Sequence, residues 1–68
     1  MNFLEIVTFL VERRKMLGVS QRELAKLCGI SVHALSNFES GKRNPTVDVL
    51  FRIVDTLGAR LKVEVEQM

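Results

Sequence analysis

Residues 21–40 read QRELAKLCGISVHALSNFES, and this stretch predicts two short helices packed at a steep angle across a turn. Gly29 stands at the turn, where the absence of a Cβ permits the left-handed backbone that ends a helix. The small side chain of Ala25 lets the second helix approach the first closely. The positions that must face inward are apolar: Leu24, Ala25, Ile30, Leu35 and Phe38. The spacing is that of a helix-turn-helix.

Local signals predict one further helix on each side of this stretch. Asn2 can cap a helix that runs to about Leu17, and Thr46 can cap one that Gly58 ends. Within the motif, Ser20 and Glu23 have the spacing of a capping box, and Ser31 caps the third helix. Three-four spacing predicts two apolar stripes: Phe3, Ile6, Val7, Leu10 and Val11 in the first helix, and Val47, Leu50, Phe51, Val54 and Leu57 in the fourth.

After Gly58 the apolar period changes from that of a helix to that of a strand. Leu61, Val63 and Val65 alternate with Lys62, Glu64 and Glu66, which predicts one half-buried strand. Its backbone groups have no predicted partner strand in the chain, and an open edge is a liability. We therefore expect the strands of two chains to pair in a two-fold dimer, with the three apolar residues at the interface. The alternative is a frayed tail whose alternation is accidental.

Length and composition predict one helical domain over residues 1–58 and a dimerisation tail over residues 59–68. The chain has 68 residues, of which 47% are apolar, so it is globular but small enough to need a partner or very economical packing. The apolar runs fall short of the roughly 20 residues that span a bilayer, and the N-terminal residues do not resemble a signal peptide. A single cysteine excludes an intrachain disulfide framework. We expect a cytoplasmic protein.

The residue types that carry chemistry do not form a catalytic or metal-binding pattern. The sequence lacks a nucleophile–base set, paired carboxylates on a pocket wall and a phosphate-cradling glycine loop. His33 is the only histidine and Cys28 the only cysteine, which leaves a metal site incomplete. We predict no enzyme activity, no cofactor and no metal. Cys28 falls at an inward position, where a thiol acts as a small apolar residue.

Three motifs carry a family resemblance. They are S-Q-x-E-L-A at residues 20–25, G-I-S at residues 29–31 and L-S-N-F-E-S-G-K-R-N-P at residues 35–45. Over about residues 5–58 the chain resembles the Cro/C1-type helix-turn-helix regulators of prokaryotes, the XRE family. The resemblance implies an all-α, lambda-repressor-like four-helix domain. The tail LGARLKVEV at residues 57–65 is similar to the HipB-type antitoxins, in which a terminal strand pairs across a dimer that also holds a HipA-type kinase toxin.

Residue types and the resemblance together predict how DNA is bound. The face of the third helix opposite its inward residues carries the candidates for base contact: Val32, His33, Ser36 and Asn37. Asn37 suits adenine, with contact to phosphate alone as the alternative. Helix N-termini and the loop after the third helix supply the candidates for phosphate contact: Ser20, Gln21, Ser31, Lys42, Arg43 and Asn44. The resemblance also implies an ion pair between Arg14 and Glu39; the alternative is two unrelated surface charges.

The net charge of +2 and the pI of about 9.1 are weak indications of nucleic-acid binding, so the motif carries the functional prediction. We predict a repressor that binds an inverted-repeat operator as a dimer, and an autoregulating HipB-type antitoxin in particular. A restriction-modification controller and a phage-type repressor without a toxin have the same size and fold and remain alternatives. A third reading is a protein-interaction module that has lost DNA binding.

Overall fold

The computed structural model of this chain describes residues 2–65 and contains four α-helices in that range. Helix α1 spans Phe3–Met16, α2 spans Gln21–Cys28, α3 spans Val32–Glu39 and α4 spans Val47–Thr56. The predicted all-α class with four helices is confirmed for this part of the chain. α2 packs against both α3 and α4, and α1 packs against α3, so the helix-turn-helix lies between the two outer helices.

Each helix begins at a polar residue whose side chain accepts a hydrogen bond from the first turn. These N-caps are the predicted ones: Asn2, Ser20, Ser31 and Thr46. In α2 the capping box is complete, since Ser20 Oγ accepts from the Glu23 N–H at 3.0 Å and the Glu23 carboxylate accepts from the Ser20 N–H at 3.2 Å. Such caps contribute about 1 kcal/mol each, and short helices need them because they gain little from propensity.

The turn between α2 and α3 depends on Gly29, whose φ of 70° lies in the left-handed region. The N–H of Gly29 donates to the Lys26 carbonyl at 3.2 Å, and the N–H of Ile30 donates to the Ala25 carbonyl at 3.0 Å. These bonds satisfy carbonyl groups that the end of α2 would otherwise leave without partners. The turn is closed in two residues, and Ser31 then caps α3.

The core lies where the four helices meet. Its largest completely buried side chains are Leu24, Leu35, Ile53 and Leu57. Ala25 and Cys28 are also buried, as their inward positions predicted. The rings of Phe3 and Phe38 meet edge to face with their centroids 5.9 Å apart, which anchors the start of α1 on α3.

The prediction for the inward face of α4 was partly wrong. Val47 and Phe51 are 67% and 48% exposed, whereas Ile53, which the predicted stripe omitted, is completely buried. The inward stripe combines Ile53 and Val54 with the half-buried Leu50 and with Leu57, which follows α4 directly. Both stripes fit a period of 3.6 residues, so periodicity alone could not choose between them.

Residues 59–65 have no regular secondary structure in this single chain. Leu61 packs against the core, whereas Val63 and Val65 are 97% and 92% exposed. The predicted strand is therefore not formed here, because a strand needs a hydrogen-bonded neighbour and residues 2–65 supply none. Glu66 and the rest of the predicted tail lie outside the described residues.

Replacing Gly29 tests the left-handed turn. A Cβ at this position would meet only the end of the flexible Arg52 side chain, at 3.8 Å, so the cost of Gly29→Ala is backbone strain and not a clash. We expect Gly29→Ala to lower the free energy of unfolding by about 1 kcal/mol, and Gly29→Asn to lower it less, because asparagine tolerates this conformation. Urea unfolding with an unchanged m-value measures both. Equal losses for the two variants would contradict the assignment.

Candidate nucleic-acid interface

The outer face of α3 carries the side chains predicted to contact bases. Leu35 and Phe38 are buried on its inner face, and Val32, His33 and Ser36 are exposed, with Asn37 half-buried. This distribution follows from the helical period, which puts His33 and Asn37 one turn apart and opposite the buried pair. The structure thus leaves three polar side chains and one valine on the open side of α3.

Two of these side chains bind each other. Asn37 Nδ2 lies 3.2 Å from His33 Nε2, an interaction in which the amide donates when the ring nitrogen is unprotonated. Asn37 keeps its carbonyl oxygen and a second N–H, which are the two groups that bidentate pairing with adenine uses. The contact restricts where the amide points. The prediction from sequence did not include it, although the spacing of four residues was a signal for such a pair.

A shallow groove, which we call the α3 groove, runs between α3 and the loop that follows it. Ser31, His33 and Asn37 line its helix side, and Arg43 and Asn44 line its loop side. The structure therefore brings together five residues predicted for base or phosphate contact. Other predicted residues do not line this groove: Ser20, Gln21, Val32, Ser36 and Lys42. Lys42, Arg43 and Asn44 are all exposed on the loop.

The N-termini of α2 and α3 both open with a serine. Ser20 Oγ accepts from the Glu23 N–H and Ser31 Oγ accepts from the Ala34 N–H, each at 3.0 Å. Each hydroxyl still has its hydrogen to donate, and the first N–H groups of a helix have no intrahelical acceptor. Both ends therefore have donors suited to an anion such as a DNA phosphate.

The structure also brings together Arg14 and Glu39, the two residues of the implied ion pair. Arg14 Nε lies 2.7 Å from Glu39 Oε2, and Arg14 Nη2 lies 3.0 Å from Glu39 Oε1. The two side chains are only 11% and 8% exposed. Arg14 Nη1 also donates to the Val19 carbonyl at 2.8 Å, so the guanidinium ties α1 to the α1–α2 loop and to the end of α3.

Gln21 belongs to the same network, which the sequence analysis did not foresee. Its Nε2 donates to Glu39 Oε1 at 2.8 Å, so its side chain links the start of α2 to the end of α3. The prediction gave Gln21 a phosphate contact through its side chain and its backbone N–H. In the structure the side-chain amide nitrogen is already engaged with Glu39, and the backbone N–H of this first helical position is the donor suited to phosphate.

The fold and this surface define a helix-turn-helix domain, with a capped α2, a glycine turn and an α3 that faces outward. A family model described as helix-turn-helix matches residues 10–63. The chain therefore belongs to the XRE-type helix-turn-helix family.

Two curated relatives agree with this assignment. An uncharacterized HTH-type transcriptional regulator of Haemophilus influenzae is 29% identical over 58 residues, which cover 85% of this chain and 59% of that protein. The uncharacterized HTH-type transcriptional regulator y4dJ of Sinorhizobium fredii is 40% identical over 45 residues, which cover 66% of this chain and 58% of that protein. The match thus spans under three fifths of each relative's length.

Two other kinds of site were sought in residues 2–65. This range does not contain a group of three or more His, Cys, Asp or Glu side chains arranged to hold a metal ion. Nor does any of its helices combine the length and apolar character needed to cross a membrane.

A double-mutant cycle measures the Arg14–Glu39 pair. Arg14→Met and Glu39→Gln each break a largely buried ion pair, so each should cost about 3 kcal/mol of unfolding free energy. The double variant should cost clearly less than the sum, because neither partner is then left alone. Thermal or urea unfolding checks this. Glu12→Gln, the same change at an exposed position of α1, is the control and should alter stability by less than about 0.5 kcal/mol. Additive losses would show that the two residues are not coupled.

Proposed function

We propose that the chain is a transcriptional regulator that binds double-stranded DNA in a sequence-specific way, with α3 in the major groove. The observation that carries this proposal is the outward polar face of α3 beside the exposed Arg43 and Asn44. The major groove is about 12 Å wide and admits one α-helix. Family membership and the printed names of the two relatives support the same function.

The proposed roles divide between base reading and backbone binding. Val32, His33, Ser36 and Asn37 are the proposed base contacts, because they occupy the outer face of α3. The amide of Asn37 suits adenine, and the methyl groups of Val32 suit a thymine methyl. Donors at helix N-termini and in the loop are the proposed phosphate contacts: Ser20, the backbone N–H of Gln21, Ser31, Lys42, Arg43 and Asn44.

The proposed regulator acts as a homodimer on an inverted repeat. Two copies related by a two-fold axis present two α3 helices to successive major grooves, so the half-site centres should lie about one helical turn apart, or a multiple of it. The exposed valines 63 and 65 support association through the segment after α4. The proposal separates residues 1–58, which bind DNA, from the tail at residues 59–68.

A finer proposal is that this regulator is an autoregulating antitoxin of the HipB type, which represses its operon from the cytoplasm and binds a HipA-type toxin. The alternation in residues 61–65 supports it, since such a segment suits strand pairing. Co-purification of the chain with the product of the neighbouring gene tests this. A kinase-like partner supports the antitoxin, a methyltransferase gene supports a restriction-modification controller, and neither supports a phage-type repressor.

Selection of bound duplexes from a random pool tests the main proposal. We expect the wild type to enrich an inverted repeat, because its two α3 helices read equivalent half-sites. Asn37→Ala should relax the preference at one position of each half-site and cost about 1–3 kcal/mol of discrimination there. Absence of salt-dependent binding to any duplex would overturn the proposal in favour of a protein-interaction module.

Arg43→Ala tests the division between phosphate and base contacts. A phosphate contact carries no sequence information, so the variant should bind all duplexes more weakly by a similar factor. The slope of log K against log salt should fall by roughly 1 for each site lost. Lys15→Ala is the matched control, since Lys15 is equally cationic and exposed but does not line the α3 groove. A loss confined to the selected operator would mean that Arg43 reads bases.

A further inference from the structure

We propose that residues 61–65 of two copies form an antiparallel ribbon in a single register, with Val63 on the two-fold axis. The inference rests on the homodimer of the proposed function and specifies how its two chains meet. Three observations carry it: an open apolar groove beside this segment, the exposure of its valines, and the order of its charges.

The groove, which we call the α1 groove, lies between α1 and the segment after α4. Apolar side chains line most of it, and Arg60 and Lys62 stand on the segment side: Ile6, Phe9, Leu10, Val54, Ala59, Arg60, Leu61 and Lys62. Phe9 is 56% exposed, a large apolar surface for one side chain of so small a domain. Leu61 covers part of the groove, and the next two apolar residues of the segment, Val63 and Val65, are almost completely exposed.

The side chains of the segment alternate between two sides. Lys62 Nζ lies 3.2 Å from Glu64 Oε1, so these two residues share one side. An extended chain puts residues i, i+2 and i+4 on the same face. Leu61, Val63 and Val65 therefore share the opposite side, which is the side on which Leu61 packs against the core.

Charge excludes most ways of pairing two such segments. A shift by one residue would set apolar side chains against charged ones, so the two-fold axis must pass through a residue and not between residues. An axis at Lys62 or at Glu64 sets that charge directly against its own copy. An axis at Leu61 or Val65 again opposes like charges, lysine against arginine or glutamate against glutamate. Like charges directly opposite each other destabilise a strand pair.

An axis at Val63 satisfies both faces. Lys62 then lies opposite the partner's Glu64, and symmetry repeats this pair, so the charged face holds two opposite-charge pairs. On the apolar face Val63 meets the partner's Val63, and Leu61 meets the partner's Val65. Because Leu61 lines the α1 groove, the partner's Val65 comes to lie beside the groove and can cover Phe9.

A second copy is the occupant that these observations favour. The segment carries one basic and one acidic residue at positions that a two-fold axis exchanges, so it is complementary to itself. A different partner protein would have no need of that order of charges.

Charge reversal tests the register in the full-length chain. Lys62→Glu and Glu64→Lys should each weaken dimerisation about tenfold, because two attractive pairs become two repulsive ones. An equimolar mixture of the two variants should recover the affinity of the wild type as a heterodimer, since every pair is then again of opposite charge. Sedimentation equilibrium measures the affinities. Both residues are exposed, so the helical circular dichroism signal should be unchanged and serves as the control for folding.

Cross-linking gives an independent measurement of the same register. In a Cys28→Ala background, single cysteines at positions 62, 63 and 64 are oxidised, and Val63→Cys should form the covalent dimer fastest, because it lies opposite itself. Fastest cross-linking at position 62 or 64, or a wild-type dimer insensitive to both charge reversals, would overturn the register and leave the homodimer standing. A wild type that stays monomeric at all concentrations would overturn the homodimer as well. DNA reading by α3 is tested separately by the duplex selection.

Discussion

The carboxylate of Glu39 is the point through which α1, α2 and α3 are tied together. It accepts two hydrogen bonds from Arg14 in α1 and one from Gln21 at the start of α2. Leu35 and Phe38 bury the inner face of α3 but, like all apolar contacts, do not specify one rotation of the helix closely. Directional bonds at its last residue do, and that rotation decides which side chains of α3 face outward. A buried ion pair adds little net stability, since desolvation offsets its attraction, and its contribution here is to define geometry.

Most of the cationic side chains that the structure engages hold the fold and do not form the proposed DNA surface. Arg13 Nε donates to the Leu57 carbonyl beyond α4, and Arg52 donates to the Cys28 carbonyl at the end of α2. With Arg14 on Glu39, three arginines serve helix ends and the core. This explains why a net charge of +2 is a poor guide to function. The phosphate contacts that we propose depend on a few donors near α3, and with few contacts in each copy a dimer has much to add to affinity.

The small size of the domain leaves apolar side chains on its surface. Ten apolar residues form the buried core, whereas Phe9, Val63 and Val65 remain exposed beside or beyond the α1 groove. A domain of this length buries a modest fraction of its surface, so a second copy is an economical way to cover the remainder. Association through the segment after α4 would leave the α3 groove, which that segment does not line, available to DNA.

The sequence by itself determined the four helices, because their caps and the glycine turn are local signals that act within a few residues. It also indicated the outer face of α3, since burial of Leu35 and Phe38 puts His33 and Ser36 outside by helical period alone. Only the tertiary structure decided that Ile53 and not Phe51 faces the core and that Gln21 binds Glu39. Those outcomes depend on how α4 and α2 lie against distant parts of the chain, which no local pattern encodes. The segment after α4 is the limiting case, because a strand is defined by its neighbour and residues 2–65 of one chain do not contain that neighbour.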